Sequence, residues 1–217
     1  MDLTVFSITN GRSTHSHSLK SISTSGDVEV VVVKNMRWME ALSLCLASCK
    51  TPYFLRVDDD MILHSQAVTY IQHVLPQTEN FGILYWMLWE TFTDRVRESI
   101  KVYSVEALKR IGGFHADPKT GKVDRVTNPM LESAGFPVIP DPSVLALHIC
   151  GTWEEQETYE QFWSSMAIAP YHKPNRKAVR SYCGTKSLQE QCTMRGEFLE
   201  SLNRKRQTPF STFLESV

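Results

Sequence analysis

Apolar runs alternate with amphipathic stretches along the first 60 residues of the chain. The runs at 2–8, 28–33 and 53–57 are short, apolar and partly β-branched, which is typical of buried strands. Between them, residues 15–23 are compatible with a short helix, and residues 36–49 carry apolar side chains at helical spacing. Strands that alternate with helices are joined by right-handed crossovers into a parallel sheet. The pattern therefore predicts the α/β fold class.

The alternation continues to about residue 150 and weakens beyond it. Over this second stretch the predicted elements are a helix at 65–75, strands at 81–89 and 95–104 that pair, helices at 105–111 and 124–134, and a strand at 138–148. Farther along, the pattern predicts only two helices, at 154–166 and 189–204. We expect a core over 1–150 and a small helical extension over 151–217. The extension is basic, because residues 170–217 hold nine Lys/Arg and four Asp/Glu.

Composition excludes several classes of protein. The 217 residues are 42% hydrophobic and 22% charged, which suits one globular core and excludes a disordered chain. A net charge of −1 gives no indication of a nucleic-acid partner. The longest apolar run, 81–89, is far shorter than the ~18 residues of a membrane span, so none is expected. The N-terminus has no secretory pattern and the five cysteines are scattered, so we expect a cytoplasmic protein with reduced thiols.

The strongest chemical feature is Asp58-Asp59-Asp60, which directly follows the third predicted strand. Ligands of open parallel sheets bind beyond the carboxyl ends of the strands, so this is a favourable position for a site. Adjacent carboxylates repel one another unless a cation lies among them, and oxygen ligands suit Mg²⁺ or Mn²⁺. The motif predicts a metal site; an acidic surface turn is the alternative.

Three segments in order resemble a known family. Residues 5–12 (VFSITNGR) are similar to its first strand and turn, 28–33 to its apolar second strand, and 53–60 to its third strand with an Asp-x-Asp motif. The family is that of the nucleotide-sugar-dependent glycosyltransferases with the GT-A fold, of the family-2 type. The resemblance covers about 3–150. It implies a Rossmann-like, mostly parallel central sheet flanked by helices. The extension over 151–217 carries no motif of the family, and we expect it to pack on the acceptor side.

The resemblance also implies a donor site. Asp58 and Asp60 are expected to bind Mn²⁺ or Mg²⁺, together with His148 at the end of the last predicted strand. The residues expected beside the donor nucleotide are Thr9, Arg12, Asp58 and Asp59. Lys34 stands where the family often has an Asp that contacts the nucleobase, so the base is left open.

On the acceptor side, the family places a catalytic acid between a Gly-Gly-Phe segment and a helix that ends in Gly. Here Gly112-Gly113-Phe114 is followed by Asp124, with Gly135 eleven residues later. The resemblance makes Asp124 the general base, although Val123 replaces the preceding acid of the family. Asp117 is the reserve candidate.

Tryptophans provide the weakest predictions. Trp89 and Trp153 are candidates for stacking on an acceptor sugar, since aromatic faces bury C–H surfaces well. Packing in the core is the alternative for each.

The resemblance implies a metal-dependent glycosyltransferase that transfers a hexose-type sugar from a nucleotide-diphosphate donor to a carbohydrate or other hydroxyl acceptor, with inversion. Three alternatives stay open: a retaining GT-A enzyme that does not need Asp124 as a base, a sugar-phosphate nucleotidyltransferase, and a catalytically degenerate module that binds sugar nucleotides. Product stereochemistry and an Asp124→Asn variant separate the first alternative from the inverting enzyme.

Overall fold

A computed structural model describes residues 2–91, 95–149, 188–193 and 195–217. The strands are β1 (Leu3–Thr9), β2 (Glu29–Lys34), β3 (Tyr53–Asp58), β4 (Met61–Leu63), β5 (Ile83–Glu90), β6 (Arg95–Ser104) and β7 (Val138–His148). The helices are α1 (His15–Ser23), α2 (Trp38–Ser48), α3 (Ala67–Val74), α4 (Val105–Arg110), α5 (Asp124–Ser133), α6 (Leu188–Thr193), α7 (Glu197–Arg206) and α8 (Pro209–Leu214). The α/β prediction is confirmed.

The seven strands form one sheet in the order β2-β1-β3-β6-β5-β7-β4. The pairs β1–β2, β1–β3 and β5–β7 are parallel, whereas β6 and β4 run antiparallel to their neighbours. Five strands therefore point the same way, as expected for a mostly parallel sheet. Consequently β1, β3, β5 and β7 all end at one edge, where their loops can form a common site.

The sheet is buried on both faces because side chains alternate along each strand. On β3, Leu55 and Val57 belong to one core cluster, and Phe54 belongs to a second cluster on the opposite face. Phe54 packs there against Phe6 and Tyr103, at ring-centroid distances of 5.6 and 5.1 Å. Burial on both faces explains why β1 and β2 read as continuous apolar runs.

The described part of the C-terminal extension packs onto β7. The side-chain amide of Asn203, on α7, donates to the carbonyl of Val144 and accepts from the N–H of Val144, both at 2.8 Å. It therefore makes the two backbone hydrogen bonds that a neighbouring strand would otherwise make. Phe210 and Phe213 of α8 join the cluster that contains Leu55. The final helices therefore share the core of the sheet.

Two elements differ from the sequence predictions. Strand β4 was not predicted, since a three-residue strand is too short for periodicity to reveal and exists through its pairing with β7. The predicted helix 189–204 is two helices, α6 and α7, with Gly196 at the start of the second. Glycine is a poor helix former, which is consistent with a break there. The predicted helix 154–166 lies outside the described residues.

Across the described ranges, the structure contains no helix with the length and apolarity needed to cross a membrane.

Candidate active site

The candidate site lies where β1 and β3 end side by side. Ile8 pairs with Asp58 in the parallel register, so the loop after β1 lies next to the three aspartates. On the other side, the backbone N–H of Ile149 donates to the carbonyl of Asp60 at 2.9 Å, which brings the end of β7 to the same place. Three segments that are distant in sequence thus meet at the carboxyl edge of the sheet.

Asp59 is held by the loop after β1. Its Oδ2 accepts from the Thr9 hydroxyl at 2.9 Å and from the Asn10 N–H at 3.1 Å. Gly11 has a φ of +85°, a backbone conformation that favours glycine, and its N–H donates to the Thr9 hydroxyl oxygen. Burial and the neighbouring Asp60 raise the pKa of Asp59. The predicted nucleotide-binding Thr9 therefore also serves to orient this carboxyl group.

Asp60 lies between two cationic side chains. Arg12 forms an ion pair with its Oδ2, and His148 Nε2 lies 3.1 Å from the same oxygen. Burial alone would raise the pKa of Asp60, but His148 and Arg12 outweigh it and hold that pKa well below its usual range. The structure thus brings together three of the residues predicted for the donor side.

Glu90 joins this group, and the sequence analysis missed it. It ends β5, pairs with His148 across the sheet, and is only 3% exposed. Its Oε1 lies 3.5 Å from His148 Nδ1 and 3.2 Å from Arg97 Nε. Burial alone would lower the pKa of His148, but Asp60 and Glu90 raise it to about 9, so the ring is a cation at neutral pH. The alternation of side chains along β5 could have revealed it. Glu90 follows Trp86 and Leu88 at two-residue spacing, so it lies on the same buried face of the strand, where a charged side chain needs a partner.

Asp58 faces a different cation. Arg56 NH2 lies 3.3 Å from its Oδ2, and the guanidinium group stacks over the Trp38 ring at 4.5 Å. Burial raises the pKa of Asp58, and Arg56 opposes the shift. Its Oδ1 is buried and has no hydrogen-bond partner among the residues that the structure describes. This oxygen is therefore available to an external donor or cation.

The donor set suits a hard divalent ion in kind, since Asp58 offers a buried oxygen and Asp60 and His148 lie close together. Asp60 Oδ2 and His148 Nε2 lie 3.1 Å apart, which is a hydrogen-bond distance. Within the described ranges, however, no group of three His, Cys, Asp or Glu side chains is arranged to hold a metal. At Asp60, Arg12 and protonated His148 already share one carboxylate oxygen. An ion can bind there only if Arg12 moves and His148 releases its proton.

The acceptor-side candidate, Asp124, begins α5. Its Oδ2 accepts from Lys101 Nζ at 2.6 Å, and Lys101 pairs with Arg56 across β3 and β6. The Asp124 side chain is 56% exposed, whereas the Lys101 side chain is buried. Burial lowers the pKa of Lys101, and Asp124 opposes the shift. Asp124 therefore combines a fixed position with access to solvent.

Asp117, the reserve candidate, is occupied by its own loop. Its two oxygens accept from the Lys119 N–H at 2.8 Å and from the Thr120 hydroxyl at 2.9 Å, and Arg125 lies 3.7 Å away. The two hydrogen bonds lower the pKa of Asp117. This arrangement is that of a turn-forming aspartate.

Of the two predicted acceptor tryptophans, Trp89 packs against Phe198 of α7 at a ring-centroid distance of 5.4 Å. Because neighbours on a strand point to opposite faces, Trp89 faces away from Glu90 and the Asp60 group. Trp153 lies outside the described residues.

Comparisons with known proteins show the fold. Mannosyltransferase PcManGT from Pyrobaculum calidifontis, solved with GDP-Man and Mn²⁺, matches with a TM-score of 0.51 at 12% identity, over 94% of this chain and 75% of that one. TarS (1-349) from S. aureus matches with a TM-score of 0.58 at 11% identity, over 90% and 71%. The TarS complex with UDP-GlcNAc gives 0.55 at 10% identity, over 84% and 71%. No protein-family model and no curated protein matches the sequence. The chain has the fold of the GT-A-type glycosyltransferases.

Proposed function

We propose that this chain, which has the fold of the GT-A-type glycosyltransferases, transfers a sugar from a nucleotide-diphosphate donor to a hydroxyl acceptor with the help of a divalent metal. The observation that carries the proposal is the meeting of the β1 loop, the aspartates after β3 and His148 at the end of β7. All three lie at the carboxyl edge of the sheet, where ligands of such folds bind.

The donor side holds both side chains that suit a metal ion and a side chain that suits a phosphate group. Asp58, Asp60 and His148 are the residues that would hold Mn²⁺ or Mg²⁺, and the ion would neutralise charge on the leaving nucleoside diphosphate. Arg12 adds a guanidinium group, whose planar fork binds phosphate oxygens well. Thr9 keeps Asp59 and the loop after β1 in place beside them.

The acceptor side supplies a base. As the acceptor oxygen forms its bond to the anomeric carbon, Asp124 takes the hydroxyl proton, and the bond from that carbon to the diphosphate oxygen breaks with its electrons. Attack opposite the leaving group inverts the anomeric centre. Lys101 fixes one carboxylate oxygen by a charge-assisted hydrogen bond, while more than half of the Asp124 side chain stays accessible to a substrate.

The first test is thermal unfolding with UDP, GDP, CDP, ADP and dTDP, each with and without Mn²⁺. A ligand at 100 times its Kd adds about 2.7 kcal/mol to stability, which is a readable shift in Tm. We expect one nucleotide to stabilise the wild type with Mn²⁺ and to lose this effect in an Asp58→Asn/Asp60→Asn variant. Absence of any nucleotide effect on the wild type would contradict the proposal.

The second test addresses mechanism. With the matching sugar donor, Asp124→Asn should lower kcat by ~10²-fold or more, the usual contribution of a general base, and leave nucleotide affinity unchanged. NMR of the product should give the inverted anomer. Retention together with near-normal turnover of Asp124→Asn would instead identify a retaining enzyme.

A second candidate is a module that binds a sugar nucleotide without turnover. One observation favours it: the chain neutralises its aspartates with Arg12, Arg56 and His148. Binding of a nucleotide sugar with no release of nucleoside diphosphate, across a panel of sugar acceptors, would support the module over the enzyme.

A further inference from the structure

The aspartate cluster, Asp58 to Asp60, carries its own counter-charges. Arg56 contacts Asp58 at 3.3 Å, Arg12 contacts Asp60 and lies 3.9 Å from Asp59, and His148 contacts Asp60 at 3.1 Å. Three carboxylates are thus matched by three cations from the same chain. The repulsion that favoured a metal at this motif is already relieved within the protein.

Among these cations, Arg12 is the one that lies in a loop, directly after the turn that follows β1. The Asn10 N–H and the Thr9 hydroxyl bind Asp59, and Gly11 then takes a positive φ that turns the chain back toward the cluster. As a result, the Arg12 guanidinium group lies on Asp60 with both side chains less than one-tenth exposed. Arg56, in contrast, is held on a strand and stacked on Trp38.

We propose that Arg12 is an internal cation that competes with the divalent metal for Asp60, so that the metal binds tightly only when a diphosphate draws Arg12 away. The proposal rests on the proposed function, in which the donor brings that diphosphate. In the exchange, Arg12 trades a carboxylate for phosphate oxygens, to which guanidinium binds in the same forked manner, and His148 releases its proton to solvent as it binds the ion. Metal and diphosphate then bind cooperatively, and the coupling is reciprocal.

The experiment measures Mn²⁺ binding without nucleotide, by EPR of the free ion, in the wild type and in Arg12→Gln. Removing the competitor should tighten Mn²⁺ binding by about tenfold or more, within the usual range of coupling between sites. Arg12→Lys keeps the positive charge but not the forked guanidinium group, so its Mn²⁺ affinity should lie between those of the wild type and Arg12→Gln. Arg110→Gln removes an exposed arginine of α4 and should equal the wild type, which controls for net charge.

A second measurement repeats the titrations with a saturating nucleoside diphosphate. In the wild type the nucleotide should tighten Mn²⁺ binding by about tenfold or more, after the ion bound by free nucleotide is subtracted. In Arg12→Gln this factor should be smaller, because only the direct attraction between diphosphate and ion remains. Arg12→Lys should give an intermediate factor, so it tests the role of Arg12 even where Arg12→Gln folds poorly.

The outcomes separate this inference from the proposed function. Equal Mn²⁺ affinity in the wild type and Arg12→Gln, or no Mn²⁺ binding to either, overturns the role of Arg12, even if sugar transfer is observed. Tighter Mn²⁺ binding to Arg12→Gln supports the competition, even if no nucleotide binds and the transferase proposal fails.

Discussion

Two carboxylates among the predicted site residues have opposite surroundings. Asp60 is itself buried and lies between Arg12 and His148, while Asp124 is exposed and the lysine that binds it, Lys101, is the buried partner. Loss of the group that compensates a buried charge lowers stability more than loss of the buried charge itself. The compensating group is Asp60 for Arg12 and His148, and it is Asp124 for the buried Lys101. Both sites are therefore most sensitive to loss of the aspartate, which is buried at the first site and exposed at the second.

The largest effect is expected from Asp60→Asn. This change removes the carboxylate that buried Arg12 and half-buried His148 both contact, and breaking a buried pair costs about 3–5 kcal/mol. Urea unfolding at pH 7 measures the loss. Asp27→Asn, an exposed control, should change the free energy of unfolding by less than about 0.5 kcal/mol. A loss below about 1 kcal/mol in Asp60→Asn would show that the cluster rearranges freely.

The next effect is a loss of stability with rising pH, which we expect from the buried site, because the pKa of Lys101 at the exposed site is shifted in the opposite direction. The pKa of His148 is about 9 in the folded protein and ~6.5 when unfolded, so its stabilisation is complete below pH ~6.5 and is lost as pH rises toward 9. At ~1.4 kcal/mol per pKa unit the upper limit is about 3 kcal/mol. Asp60 acts in the opposite direction, since its pKa is lowered and its contribution is lost in acid below pH ~4.

Urea unfolding of the metal-free protein at pH 6, 7, 8 and 9 measures this dependence. The free energy of unfolding should fall across the series in the wild type. It should stay nearly flat in His148→Gln, which keeps a polar side chain without the titration. An equal slope in both proteins would assign the effect to other groups.

At the exposed site, substitution of Asp124 should lower stability more than substitution of Lys101. Asp124→Ala leaves the buried Lys101 ammonium without its hydrogen bond, which costs about 1–3 kcal/mol. Lys101→Met removes the buried charge and returns Asp124 to water, so it should change stability by less than about 1 kcal/mol. The double variant should resemble Lys101→Met, and equal losses in the two single variants would contradict this description.

Sequence was most informative where local pattern determines structure. Strands β1 and β3 are apolar because both faces of the sheet are covered there, and the half-buried edge strand β2 is a run of valines, so the apolar runs located all three. The three aspartates were found for a related reason, because they end or directly follow β3, whereas His148 was assigned through the resemblance.

Long-range pairing explains what was missed. Glu90 reaches His148 only because β5 and β7 pair in a particular register, and Arg12 reaches Asp60 across 48 residues of sequence. The Lys101–Asp124 pair also depends on where α5 begins relative to β6. No local pattern encodes these contacts, so the sequence could not show that the fold also supplies internal cations at this site.

The smallest effect is expected at Asp117, the other acid before α5. Both of its oxygens already accept hydrogen bonds within their own turn, whereas the Asp124 side chain is held by one lysine and open to solvent. Asp117→Asn should therefore leave the rate of sugar transfer within about twofold of wild type, in contrast to Asp124→Asn, because asparagine retains the oxygen that such turns require. Initial rates of nucleoside diphosphate release from the matching donor measure both variants under the same conditions. A large loss of transfer rate in Asp117→Asn, together with normal turnover in Asp124→Asn, would contradict this assignment and identify Asp117 as the general base.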